Sequence, residues 1–300
     1  MTNRLKGLIA LLGTTILWGS SFPAIKMVMG LVDEYTYTWL RGLIALLGLT
    51  PYVLYKYLSS KKIGMRVIKG GLLAGIAYSL GIWLQGWGTK YTTATNSAFI
   101  TGLNVVFVHV YVALRQREYN WRLLLSLILA LTGLYFLTNP ATSFNVGDLL
   151  VLLGAFMWAA QIIIVSMYSK EDPLMFTFYE VMPALLFIAP SIITRNFVMP
   201  SIPALFLLTY LALVCSNAAF ALQVYGQRYI SPAVTAIIFL LEPVFAALFA
   251  YIVLGELLKG IQVLGAILIL ISMFISTTAE FKSVRVSKRR RRIKASRSID

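Results

Sequence analysis

The sequence has few charged residues, one cysteine and one histidine. Only 12% of its 300 residues are charged, whereas a soluble domain carries about 25%. The lone Cys215 excludes a disulfide framework, and the lone His109 excludes a zinc site built on several histidines. The sequence shows no Walker loop, metal-ligand cluster or serine–histidine–aspartate set. We therefore predict no catalytic residues, no metal site and no cofactor, and we do not expect an enzyme.

Apolar residues dominate the chain instead. They make up 59% of the sequence, and the mean hydropathy is +0.81. A soluble protein of this size has too little interior to bury them, so most must face lipid. A membrane-spanning helix needs about 20 mostly apolar residues. The sequence offers ten such segments: 5–28, 36–56, 67–87, 92–114, 121–139, 147–168, 173–194, 203–225, 231–254 and 260–279. The predicted fold class is an all-α integral membrane protein with ten transmembrane helices.

The lysines and arginines lie almost entirely on one side of this arrangement. Of the 26, 21 fall on the side of the N-terminus, three fall on the opposite side, and Lys26 and Arg41 lie within spans. Positive charge marks cytoplasmic loops. We therefore predict a multi-pass protein of the cell (plasma) membrane with both termini in the cytoplasm.

The C-terminal tail, residues 280–300, is strongly basic. We predict a disordered cytoplasmic segment that contacts anionic lipid of the bilayer. Nucleic acid is not an expected partner, because neither a folded domain nor interleaved aromatic residues accompany the basic run.

The chain contains an internal repeat. Residues 84–118 align with residues 222–256 without gaps, and the polar and aromatic identities carry the most weight: Gln85/Gln223, Tyr91/Tyr229 and Glu118/Glu256. The predicted domains are a first five-helix repeat, 1–139, and a second, 147–279. Because each copy has an odd number of spans, the second must enter the membrane in the opposite orientation. Such inverted repeats are typical of secondary transporters, whose substrate site lies near the midplane between the repeats.

Polar residues in the spans are the candidate site residues. On a helical wheel, Thr101 and Asn104 of span four share one polar stripe, and Thr235 and Glu242 of span nine share another. Polar groups are costly in lipid, so these stripes are expected to face a central cavity. Hydrogen bonding between helices is the alternative explanation for the small polar residues.

Glu242 and Pro243 are the most informative neighbours in this set. A carboxylate at the centre of the bilayer costs about 2.5–3.5 kcal/mol on insertion scales, so Glu242 needs a cation, water or a proton. Pro243 lacks a backbone donor and is predicted to bend span nine as a gating or kink residue. A structural kink beside a neutral, hydrogen-bonded glutamate is the alternative.

Six spans contribute the predicted substrate-binding residues, which are Trp18, Ser21, Tyr78, Ser79, Thr101, Asn104, Trp158, Gln161, Asn217 and Glu242. Arg41 and Glu180 correspond in the two halves, and we place them nearer the outer and inner ends of spans two and seven, where they can serve vestibules. Lys26 is expected to snorkel to the outer surface. His109 lies off the polar stripe and is expected to make a helix–helix contact.

Two motifs resemble the drug/metabolite transporter superfamily in its ten-span EamA branch: WGSSF at 18–22 and SPAVTAIIFLLEPVFAALFAYIVLGE at 231–256. The first copy departs from the family pattern, since Val105 stands where the family has proline and Arg117 where it has glycine. Span four is therefore expected to bend less than span nine. The resemblance implies a transporter of small organic solutes, often an exporter of amino acids or other metabolites, with a central cavity between the halves and no ATP hydrolysis.

The expected function is secondary transport of a small organic metabolite by alternating access, either facilitated or coupled to protons. One alternative is a multidrug exporter of lipophilic cations, because Glu242 and aromatic residues also suit such solutes. A sugar-phosphate or nucleotide-sugar carrier is less favoured, since phosphate recognition wants several cations and Arg41 is placed at the periphery. An integral-membrane enzyme is the alternative from another class.

Overall fold

The computed structural model describes residues 2–59, 63–115, 121–138, 145–194, 199–254, 260–276 and 278. These residues form helices and contain no β-strand. The helices are α1 (Asn3–Gly19), α2 (Ser21–Val28), α3 (Glu34–Leu58), α4 (Met65–Tyr91), α5 (Ala94–Gly102), α6 (Asn104–Arg115), α7 (Trp121–Thr138), α8 (Val146–Tyr168), α9 (Pro173–Val181), α10 (Ile188–Ile193), α11 (Ile202–Tyr210), α12 (Ala219–Gln227), α13 (Pro232–Phe239), α14 (Leu241–Leu254) and α15 (Gly260–Ser276). A 3₁₀ segment (Met182–Phe187) joins α9 to α10, and a π segment (Leu211–Ala218) joins α11 to α12.

The described helices make ten passes, which confirms the predicted fold class. Seven passes are long and apolar enough to cross a membrane, and α7 and α15 are shorter apolar helices. The remaining pass is α3, which has 25 residues and carries Arg41 among its apolar side chains. The basic tail, 280–300, lies outside the described residues. The exact bounds of the two repeats stay a prediction.

The second half of the chain is inverted relative to the first. The start of α1 lies beside the end of α12, where a Cβ on Gly7 would meet the Gly226 carbonyl at 3.1 Å. The end of α8 lies at this same face, because Arg228, which follows α12, donates from Nε to the Ser169 carbonyl at 3.0 Å. The first helices of the two halves therefore run in opposite directions. We call the face where α1 begins the N-terminal face.

Close backbone contact holds the two halves together along α4 and α8. A Cβ added to Gly88 would lie 2.5 Å from the Gly147 carbonyl oxygen, so only glycine permits this approach. The repeat relates this contact to a second one, in which α1 packs against α12 and the π segment. The fifth helix of each half meets its counterpart too, since Ser272 of α15 donates to the Ser126 carbonyl of α7 at 2.7 Å. The interface between the repeats thus runs through the whole molecule.

Three of the described passes are each divided into two helices by a single residue, namely Ser20, Leu103 and Leu240. At Leu103 and Leu240 the backbone N–H bonds to the carbonyl three residues earlier, at 3.1 and 3.2 Å, which is a tight 3₁₀-type turn. Span four is therefore interrupted although position 105 holds valine rather than proline. Pro243 itself lies in the first turn of α14, where no intrahelical donor is needed. The interruption of span nine lies at Leu240, three residues before Pro243, where the bend was predicted.

Helix caps lie at the ends of the passes, where backbone groups would otherwise lack partners. The Asp33 carboxylate accepts two backbone N–H groups at the start of α3. Asn145 and Asp148 form a reciprocal capping box at the start of α8.

Asp172 caps α9 and also forms an ion pair. Its Oδ1 accepts the backbone N–H groups of the first turn. Its Oδ2 lies 2.8 Å from Lys56 Nζ and accepts a 2.7 Å hydrogen bond from the Tyr52 hydroxyl. Partial burial alone would raise the pKa of Asp172, but the hydrogen bonds from Lys56 and Tyr52 outweigh burial and place the pKa below its ordinary value of 3.8.

We expect Asp172→Ala to lower the melting temperature in detergent more than Asp172→Asn does, because asparagine still caps the helix and loss of a cap costs about 0.5–2 kcal/mol. A depressed pKa stabilises the fold only while the carboxylate is ionised. The difference between wild type and Asp172→Asn should therefore shrink as the pH falls below 3.8. Tryptophan-fluorescence melts at several pH values measure both effects. Asp33→Asn is the control, because Asp33 caps a helix and forms no salt bridge with the other described residues. An equal pH response there would contradict the assignment.

Candidate functional site

A cavity lies where the two halves meet, near the interruptions of the passes. In this structure it leaves about 30 Å³ of room for the centre of a water molecule, so the cavity is nearly closed. Its wall is built from pairs of residues that the internal repeat relates to one another: Trp18/Trp158, Ser21/Gln161, Ile82/Phe220, Thr101/Phe239 and Asn104/Glu242. The pseudo-twofold axis therefore passes through the cavity, and both halves contribute to its wall.

Aromatic rings form one wall. The Trp18 ring centroid lies 4.9 Å from both the Phe220 and Phe239 centroids and 6.5 Å from that of Trp158. Trp18 Nε1 donates to the Cys215 carbonyl of the π segment at 3.0 Å. The buried Nε1 of Trp158 has no hydrogen-bond partner within the described part of the chain. Such a wall suits an apolar or aromatic part of a solute, and the Trp158 N–H is a spare donor.

Arg41 reaches the cavity from α3 and is only 3% exposed. Its Nε donates to Ser216 Oγ at 3.0 Å, and its Nη1 donates to the Tyr37 hydroxyl at 2.6 Å. No salt bridge of Arg41 is found among the residues that the structure describes. A guanidinium has five N–H donors, so donors remain for an anionic group. The prediction that Arg41 lies near the periphery is wrong, because its long side chain reaches inward from its position two turns into α3.

Glu242 lines the same cavity from α14 and is 8% exposed. It lies in the first turn of that helix, where the helix dipole is positive and favours a carboxylate. Its carboxyl group forms no hydrogen bond or salt bridge with other described residues. Its repeat counterpart, Asn104, begins α6, and the buried Asn104 Oδ1 has no hydrogen-bond partner in the part of the chain that the structure describes. A buried guanidinium and a buried carboxyl group thus line one cavity, and no salt bridge joins them among the described residues.

Three predicted site residues lie behind the wall. The Tyr78 hydroxyl is 2.8 Å from Ser216 Oγ, the group that holds Arg41. Ser79 donates to the Gly75 carbonyl within α4. Asn217 donates from Nδ2 to the Ala45 carbonyl, and its Oδ1 has no partner among the described residues. The other seven predicted residues, namely Trp18, Ser21, Thr101, Asn104, Trp158, Gln161 and Glu242, line the cavity. Their role in binding stays a prediction.

Four polar or aromatic residues of the wall were not among the predicted binding residues: Arg41, Gln85, Phe220 and Phe239. Gln85 donates to Thr101 Oγ1 at 3.1 Å, well inside the protein. The repeat carries a signal for the position of Phe239, because its counterpart Thr101 was predicted, but none for Phe220, because its counterpart Ile82 was not predicted.

Comparisons with known proteins agree with this architecture. The profile of the EamA-like transporter family matches residues 5–139 and 145–278. A protein of Archaeoglobus fulgidus named an uncharacterized transporter is 32% identical over 276 residues, which cover 91% of this chain and 86% of the relative. The uncharacterized transporter YyaM of Bacillus subtilis is 24% identical over 286 residues, covering 90% and 92% of the two chains. A solved crystal structure superimposes with a TM-score of 0.72 at 16% identity, covering 90% of this chain and 96% of that one, and supports the fold alone.

Proposed function

Because the chain belongs to the EamA-like transporter family, it is a multi-span membrane transporter, and we propose that it exports small zwitterionic metabolites such as amino acids by alternating access. The observation that carries this proposal is that Arg41 and Glu242 line one cavity and that neither forms a salt bridge with the residues that the structure describes. A buried charge without a partner is costly. A zwitterion neutralises both charges at once.

The cavity offers a distinct contact to each part of such a solute. The guanidinium of Arg41 can take a carboxylate through two parallel hydrogen bonds. The Glu242 carboxylate can take the ammonium group. The tryptophan and phenylalanine rings then pack against the remaining side chain of the solute. This division of roles supports an amino acid with an apolar or aromatic side chain.

Alternating access follows from the inverted repeat. Two halves of similar fold and opposite orientation have two related packings, and exchange between them opens the centre to one face or the other. The residues of the cavity wall are largely buried in this structure, so a solute must enter through a rearrangement. The interruptions at Ser20, Leu103 and Leu240 are the proposed hinges. By the distribution of positive charge, the N-terminal face is the proposed cytoplasmic one.

The alternative solutes fit the cavity less well. A lipophilic cation suits Glu242 and the aromatic wall, but Arg41 repels it. A sugar phosphate suits Arg41, which lines the cavity in this structure, but Glu242 repels a dianion. The electrostatic balance of the wall therefore favours a solute with one charge of each sign.

Counterflow into proteoliposomes tests this selectivity. We expect exchange of an amino acid with an aromatic side chain, and little exchange of its amide, which lacks the carboxylate, or of its N-acetyl derivative, which lacks the ammonium. A lipophilic cation and a hexose phosphate complete the panel, and protein-free liposomes give the background. Equal exchange of the amide and the parent amino acid would contradict the proposal, and exchange of the cation alone would favour the multidrug alternative.

A further inference from the structure

A second buried acid lies behind the cavity wall. Glu180 of α9 is 0% exposed. Its Oε1 accepts a 2.6 Å hydrogen bond from Gln161 Nε2, and its Oε2 has no partner among the described residues. Gln161 itself lines the cavity. One glutamine side chain therefore connects the cavity to a carboxyl group that does not line it.

A chain of glutamine side chains continues from this point. Gln223 and Gln161 donate to each other at 2.9 and 3.1 Å. Gln223 also donates to Gln227 Oε1 at 2.8 Å, and Gln227 donates to the Ile162 carbonyl at 2.8 Å. Gln227 ends α12 at the N-terminal face. The network thus forms a polar path from the buried carboxyl group toward that face.

The groups around Glu180 fit a proton better than a metal cation. Gln161 presents an N–H to the carboxyl group, whereas a bound cation such as Na⁺ needs oxygen ligands on every side. Helix α9 packs against α3, α4, α12 and the 3₁₀ and π segments. The ionisable side chains that these elements place in the interior are those of Tyr37 and Arg41, Tyr78, and Cys215. Among the described residues, none of them forms a hydrogen bond or salt bridge with Glu180.

We propose that Glu180 carries the proton that drives transport, with Gln161 linking its protonation to solute binding. Water at the open face delivers one proton to the carboxylate, which becomes a neutral carboxylic acid, and the proton returns to water at the other face. A solute that engages the Gln161 amide alters the hydrogen bond to Glu180. By linkage, solute and proton then alter each other's binding. This inference rests on the proposed transport function, and it assigns proton and solute to different acids.

Proteoliposome assays separate this role from a structural one. We expect Glu180→Gln to exchange the amino acid at close to the wild-type rate without a pH gradient, because exchange requires no proton release. The same variant should lose all accumulation driven by an imposed pH gradient and all solute-dependent proton flux seen by an internal pH dye. Glu34→Gln is the matched control, an identical chemical change at the opposite face, and it should keep both activities.

The possible results test the proton role of Glu180 separately from the proposed transport of a zwitterion. Gradient-driven accumulation by Glu180→Gln at the wild-type level overturns the role of Glu180 and leaves transport standing. Equal loss of exchange and accumulation in both Glu180→Gln and Glu180→Asp also overturns it, in favour of a structural role. Wild-type protein that exchanges no zwitterion overturns the transport proposal instead. A readout without solute completes the set: the pH-dependent infrared difference spectrum should contain a carboxylic-acid band that Glu180→Gln removes and Glu34→Gln retains.

Discussion

Replacing Arg41 with glutamine is expected to abolish measurable binding of a zwitterionic solute. Two hydrogen bonds between a guanidinium and a carboxylate are lost, and each hydrogen bond to a charged group contributes about 1.5–3 kcal/mol. The dissociation constant should therefore rise by more than about a hundredfold. Equilibrium binding to purified protein in detergent, followed by the fluorescence of Trp18 and Trp158 at the cavity, measures the change.

The effect should depend on the carboxylate of the solute. The amino-acid amide lacks that group, so wild type and Arg41→Gln should bind the amide with similar weak affinity. Arg41→Lys keeps the charge but loses the planar fork, and its affinity should lie between the two. Arg41 also bonds to Tyr37 and Ser216, so size-exclusion profiles must first show that the variants fold. If the substitution weakened amide and parent solute by the same factor, Arg41 would have a purely structural role.

The sequence predicts the architecture of this protein better than the details of its site. The number of passes and the inversion of the halves follow from apolar run length, an odd span count and the spacing of lysines and arginines. These properties depend on many residues at once, so local errors do not affect them. The pairing of Asn104 with Glu242 was predictable for the same reason, because a repeat preserves polar positions as well as apolar ones.

The remaining residues of the wall show where this reasoning fails. Phe239 lies on a helix whose side chains are apolar nearly all round, and an apolar residue that faces a cavity resembles one that faces lipid. Arg41 was misplaced because depth counted along the chain ignores the reach of a long side chain. The interruption at Leu103 was not expected to match that at Leu240, because Val105 replaces the proline of the family pattern. In each case tertiary packing, rather than local composition, decides the outcome.

Replacing Glu242 with glutamine should change the charge preference of the cavity as well as its affinity. The zwitterion loses a charge-assisted contact to its ammonium group, so its affinity should fall by about tenfold to a hundredfold. The N-acetyl derivative carries only the carboxylate, and it should bind the variant better than it binds wild type because the repelling carboxylate is gone. The same binding assay with both solutes measures this reversal. Glu34→Gln is again the matched control, since Glu34 lies in the first turn of α3, away from the cavity.

The two buried acids should then differ in which step each substitution affects. At a solute concentration high enough to fill the Glu242→Gln cavity, a pH gradient should still drive accumulation, because Glu180 remains in place behind Gln161. Glu180→Gln should show the opposite behaviour, with near-normal affinity and no response to the gradient. Loss of gradient-driven accumulation at saturating solute in Glu242→Gln would instead assign the proton to Glu242. In that case a single acid would bind the solute and the proton in turn. The proton and the ammonium group of the solute would then compete for Glu242, whereas the present proposal gives each of them its own acid.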